Sequence, residues 1–178
     1  SGVSCESFVK THVHEPLGMK SSSFIYPEND ERLRTTGHIG NPARVSPVYP
    51  YNRRHAPSST LNSNVIDMAR WTLANLNRGQ LEGHRILRPE SYEALWTPAT
   101  QTSMDGARIG LSWFLGDHAG RRTVFHPGGD TGFRSYVMLL PDDGIGVVLA
   151  SNWEGTPRET LVREVLDLAL ASNVRVTK

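Results

Sequence analysis

The stretch His126-Pro127-Gly128-Gly129-Asp130-Thr131-Gly132-Phe133 decides how this chain is read. It follows Thr123–Phe125, a short run that predicts a strand. Beyond it, Ser135–Leu140 and Gly146–Ser151 predict two more strands, joined by a Pro141-Asp142-Asp143-Gly144 turn suited to a tight hairpin. Glycines at 128 and 129 let the backbone approach a ligand closely, because no Cβ intervenes. A backbone N–H in such a place can receive a developing oxyanion, and His126 sets a titratable imidazole beside it. These residues make half of an active site.

C-terminal to them, Thr156-Pro157-Arg158-Glu159 predicts a helix start, with Thr156 as N-cap, proline at the first position and glutamate at the third. Leu161, Val162, Val165, Leu166, Leu168 and Ala169 continue as a broad apolar stripe. N-terminal to them the chain is helical. Val65, Met68, Ala69, Thr72, Leu73 and Leu76 recur on one helix face, with Asn64 and Asp67 at capping-box spacing and Gly79 as the stop. Met68 and Trp71 belong to the core by that spacing. A shorter helix runs from Arg88-Pro89 to Trp96 and stops before Pro98. The first third is irregular, punctuated by Pro27, Gly37, Gly40, Pro42, Pro47 and Pro50, with short strands expected around Arg34–Ile39. Loops of that length either line a binding site or wrap the surface.

The expected fold class is α/β (α+β), an antiparallel sheet with packed helices in one domain. Its parts are a helix end and irregular loops (1–55), a helical region (56–105), and antiparallel strands with a terminal helix (106–178).

Composition narrows the function. The 178 residues carry a net charge of +1, and no basic stripe with interleaved aromatics points to nucleic acid. No apolar run approaches the roughly 20 residues of a membrane span. The single Cys5 excludes an internal disulfide framework. The seven histidines supply no clustered metal-ligand spacing, so neither a metal nor another cofactor is expected.

Several segments, taken in order, resemble the serine β-lactamase and penicillin-binding-protein-like superfamily, with its esterase and D-aminopeptidase members. Glu15-Pro16-Leu17-Gly18-Met19 is similar to its P-L-G-M segment, and Ala56-Pro57-Ser58-Ser59-Thr60-Leu61-Asn62-Ser63 to its P-A-G-G-L-x-S run. Gly110-Leu111-Ser112-Trp113 resembles G-L-G-W, His126-Pro127-Gly128 stands for the K-T-G or H-x-G motif, and Asn152 for the usual strand end. The resemblance implies a β-lactamase/transpeptidase-like fold and a small-molecule ester or amide substrate. It gives His126 a role in orienting substrate and the proton network, and makes the Gly129 N–H one of two oxyanion donors. Gly128 and Asp130 would border the substrate, Asp130 alternatively shaping the turn; Gly132 and Phe133 would be scaffold. Pro127 replaces the hydroxyl residue of K-T-G, which favours esterase-like chemistry over penicillin hydrolysis.

The family's nucleophile lies in S-x-x-K and a second motif is Y-x-N, both upstream of P-L-G-M. Only fifteen residues precede Pro16, so the expectation is the C-terminal portion of a longer or truncated domain, without its N-terminal strands and nucleophile helix. Ser7-Phe8-Val9-Lys10 spells S-x-x-K but reads better as a surface helix turn. Without the N-terminal strands, Gly146–Ser151 would present a free edge and an uncovered apolar face. That predicts a homodimer, a missing segment that completes the sheet, or poor solubility. Family members are often periplasmic or secreted, and the signal region would lie upstream. Two functions follow: part of a serine hydrolase working through an acyl-enzyme, inactive as the isolated chain, or a non-catalytic binding module on the same fold.

Overall fold

The computed structural model of the protein describes residues 2–26, 31–103 and 106–172; Pro27 lies outside them. Its centre is one six-stranded antiparallel sheet, wider than the three strands expected from sequence. The strands are β5 (Thr100–Gln101), β6 (Arg108–Ile109), β7 (Phe114–His118), β8 (Arg121–Asp130), β9 (Phe133–Leu140) and β10 (Ile145–Ser151), lying in the order β10-β9-β8-β7-β6-β5. Among the described residues six strands are two residues long, too short for a periodicity to mark them. These include β1 (His38–Ile39) with β2 (Arg44–Val45), and β3 (Gln80–Leu81) with β4 (His84–Arg85).

Alternation along the strands sends neighbours to opposite faces. Val124, Val137 and Leu139 face one core with Trp113, Leu115, Tyr92 and Trp96. Phe125, Tyr136, Met138 and Leu140 face the other, against Val162 and Leu166. Helices α2 (Val65–Leu76) and α3 (Pro89–Leu95) supply Trp71, Leu76, Tyr92 and Leu95 to the first; α4 (Arg158–Ala171) closes the second. Trp71 stacks on Trp113 with ring centroids 5.4 Å apart. Met68 packs in a third cluster, around Leu17, Met19 and Ala74.

The face of β10 expected to be uncovered is partly covered. Val148 packs against the α2 side, and Val147 and Leu149 against α4. The free edge remains: among the described residues no strand runs along the outer side of β10. His38 touches only the chain just beyond it, donating its N–H to Asn152 O at 2.7 Å and accepting from Glu154 N at 3.0 Å.

Two helix starts differ in detail from expectation. Asn64 caps α2, its Oδ1 accepting the Asp67 N–H at 2.9 Å. Asp67 does not reciprocate; buried, it accepts from Ser21 N at 2.7 Å and Ser22 Oγ at 2.8 Å. At α4 the cap position is Pro157, without a side-chain bond, because the Thr156 hydroxyl is turned back to Trp153 O and Ser151 Oγ.

Candidate active site

The strand expected over Thr123–Phe125 continues through the whole of His126-Pro127-Gly128-Gly129-Asp130. Its inner neighbour β7 stops opposite Phe125, whereas β9 pairs onward to Asp130↔Phe133. Residues 126–130 thus project past β7 as an overhang, hydrogen-bonded along one side. That is the setting in which a strand tolerates proline. In an antiparallel ladder alternate residues direct N–H and C=O to the partner. Pro127 has no N–H, so an unbroken ladder puts position 127 in the outward phase, and Gly129 with it.

Side chains of the chain itself lie close to both glycines. A Cβ on Gly128 would stand 2.1 Å from Ser135 Oγ, its cross-strand partner. A Cβ on Gly129, on the opposite face, would stand 3.0 Å from Arg158 Nη1 and 3.4 Å from Arg134 Nη1. Arg158 Nη1 donates to Gly128 O at 2.6 Å. Arg134 Nη1 donates to Asp130 O at 3.0 Å and Phe133 O at 2.7 Å. Asp130 Oδ1 accepts the Thr131 N–H at 2.8 Å.

A cavity of about 450 Å³ opens here, lined by Pro127, Gly128, Gly129, Asp130, Thr131, Arg134, Glu154 and Arg158. His126 is exposed, with its ring 5.5 Å from that of Phe114. The irregular first third reaches the tip of the β8–β9 hairpin. A Cβ on Gly37 would meet Phe133 at 2.7 Å, and Gly132, at φ +79°, lies against Gly37, its carbonyl accepting the His38 N–H at 3.2 Å. Tyr49 meets Phe133 edge-on at 5.8 Å and packs against Tyr26 at 4.4 Å. Asn152 donates from Nδ2 to Thr36 O at 2.9 Å, which ties the end of β10 to the same loop.

Ser7 and Lys10 lie elsewhere. They line a separate cavity of about 740 Å³ with His14, Glu15 and Met19, which shares no lining residue with the first. Ser7 belongs to the short helix α1 (Cys5–Val9), where its N–H and Oγ both contact the N-cap Ser4 Oγ, at 3.2 and 3.1 Å. Lys10 opens a π-turn, Lys10–His14.

Sequence reasoning passed over Arg134, Glu154 and Arg158. One signal was available for Arg158: it is the first residue of α4, where the helix dipole disfavours a cation.

Residues 1–171 match the family model Beta-lactamase. The chain belongs to the Beta-lactamase family. The Unguisins hydrolase ungD' of Aspergillus campestris is 31% identical over 119 residues, covering 61% of this chain and 21% of that protein. The octameric penicillin-binding protein homologue from Pyrococcus abyssi superposes with a TM-score of 0.84 at 25% identity, over 96% of this chain and 38% of the other. A class C beta-lactamase superposes at 0.76 with 17% identity, over 99% of this chain and 53% of the other, a likeness of fold alone. The chain therefore spans from 21% to 53% of the length of these relatives. Its antiparallel sheet with helices on both faces is the β-lactamase/transpeptidase-like fold, and its relationship is to hydrolases of this family. Among the described residues no helix is long and apolar enough to cross a membrane.

Proposed function

We propose that this chain is the part of a serine hydrolase that carries the H-x-G motif, acting on small ester or amide substrates through an acyl-enzyme. The observation that carries the reading is the overhang of β8. Past Phe125 it has one strand partner, no strand among the described residues pairs with its outward edge, and the phase required by Pro127 would turn the Gly129 N–H to that edge. There the N–H would stabilise the oxyanion formed when the nucleophile attacks the carbonyl, a donor typically worth about 100–1,000-fold in rate. His126, exposed beside it, would orient the substrate and the proton network; Gly128 and Asp130 would border the bound group. Pro127 offers no hydroxyl to a substrate carboxylate, which favours ester over penicillin substrates.

The nucleophile is proposed to lie outside this chain. Ser7 and Lys10 sit in a different cavity from Pro127–Asp130, and the Ser7 hydroxyl is engaged with Ser4. The test is intact-mass spectrometry after fluorophosphonate treatment of the folded chain, and of the chain joined to a family segment bearing S-x-x-K and Y-x-N. No adduct on the first and a single adduct on the second supports the reading. An adduct on the isolated chain that Ser7→Ala abolishes would place the nucleophile at Ser7. No adduct on either favours a non-catalytic binding module.

A further inference from the structure

We infer that Arg158 is a positioning residue for the oxyanion donor: by binding the Gly128 carbonyl, it orients and polarises the peptide group whose N–H belongs to Gly129. The inference rests on the oxyanion reading of Gly129. Gly128 C=O and Gly129 N–H are two ends of one planar unit and point in opposite directions when the peptide is trans. Whatever holds the carbonyl therefore aims the N–H; the ladder phase already turns the Gly128 carbonyl toward β9 and Ser135, and Arg158 adds a second, charged donor to it. Arg158 Nη1 reaches that carbonyl at 2.6 Å, and a charged donor makes a shorter and stronger bond than a neutral one. Drawing electron density toward the carbonyl oxygen leaves the N–H a better donor, as in any hydrogen-bonded chain of amides.

Three further features agree. No carboxylate pairs with Arg158 among the described residues, so its charge is directed at the backbone. It stands at the start of α4, against the helix dipole, a placement that the helix itself does not favour. Position 129 has no side chain, and a Cβ there would press on the same Nη1 at 3.0 Å. Arg134 braces the adjoining segment through Asp130 O and Phe133 O, so the overhang is held by two guanidinium groups where β7 no longer supports it.

The test compares wild type with Arg158→Gln and Arg158→Lys by NMR, reading the Gly128 carbonyl ¹³C and Gly129 amide ¹H and ¹⁵N shifts. Thermal midpoints are measured alongside. Arg158→Gln is expected to move the Gly129 amide proton upfield and Arg158→Lys to restore part of that shift. Shifts confined to the core of α4, with Gly128 and Gly129 unmoved, would show a helix anchor only and overturn the inference. If Arg158→Gln does not fold, Arg158→Lys carries the same comparison. In the nucleophile-bearing protein, ester turnover by Arg158→Gln is expected to lose about 10–100-fold in kcat with KM unchanged, a fraction of the loss of the donor itself. A loss confined to KM overturns the inference. Moved Gly129 resonances with unchanged kcat would leave the contact standing while refuting the oxyanion role of Gly129, and the positioning role with it.

Discussion

A methyl group at position 128 would stand 2.1 Å from Ser135 Oγ, so the exposed Ser135 side chain would have to turn its hydroxyl away. Gly128→Ala is expected to destabilise the fold by about 1 kcal/mol, the cost of forcing one side chain from its preferred rotamer. Adding Ser135→Ala should recover most of that loss, because the remaining contact, to Ser135 Cβ, is 3.4 Å. Urea denaturation of the two single variants and the double variant completes the cycle. His126 is exposed, so His126→Ala should leave stability within about 0.5 kcal/mol while lowering ester turnover about 100-fold in the nucleophile-bearing protein. At this scale the stretch proposed as the site is legible in the sequence, because a histidine, a proline and paired glycines between strand-like runs are visible locally. It did not show what fills the glycine spaces: Ser135 and Arg158 arrive from β9 and α4, and only folding brings them there.

Asp67 shows what local pattern conceals at the level of elements. Its spacing from Asn64 suggested a reciprocal cap, but the carboxylate serves Ser21 and Ser22, 45 or more residues away. Asp67→Ala strands the Ser21 N–H beside the buried end of α2 and should cost about 2–3 kcal/mol, against about 1 kcal/mol for Asn64→Ala, both read from chemical denaturation. Helix α2 also rests on β10 where Gly146 leaves space: a Cβ there would meet Thr72 Cγ2 at 2.5 Å. The long helices and the strands β9 and β10 were legible because their apolar residues repeat over many positions. Strands β5 and β6, two residues each, are too short to repeat anything, and Gly116-Asp117 interrupts the apolar run of β7. The cap of α4 was misread because Thr156 has a nearer partner in Ser151.

Over the whole molecule, buried titratable groups bound the pH range of stability. Burial holds the His14 imidazole below its ordinary value, with the Asp67 carboxylate opposing. The unfolded chain takes up a proton near pH 6.5 that the folded chain refuses, so stability should fall as pH drops below that value. His14→Phe should flatten the decline in urea midpoint between about pH 7 and pH 5. At the other limit, burial pushes Tyr92 and Tyr136 up to about 12; Arg85 opposes for Tyr92, and for Tyr136 Glu159 adds while Arg163 and Arg158 oppose. Their contribution is fully present below about pH 10 and is lost as the pH rises through 12. Absorbance at about 295 nm should show both phenols still protonated in the folded chain well above pH 10. The free edge of β10, together with exposed Leu161, Val165 and Leu168 on α4, predicts self-association that Leu168→Glu reduces in sedimentation velocity.

The crossing of residues 37–40 over the hairpin tip and the end of β10 has a consequence in time. Bonds from His38 to Gly132 and Asn152, and from Trp153 Nε1 to Gly40 O at 3.0 Å, join points more than ninety residues apart. Contacts of such separation close late, after the local helices and hairpins. During synthesis, residues 37–40 must wait until Trp153 has left the ribosome. Strands β5 to β9 can pair before then, but the tie between residues 37–40, the hairpin tip and the end of β10 cannot.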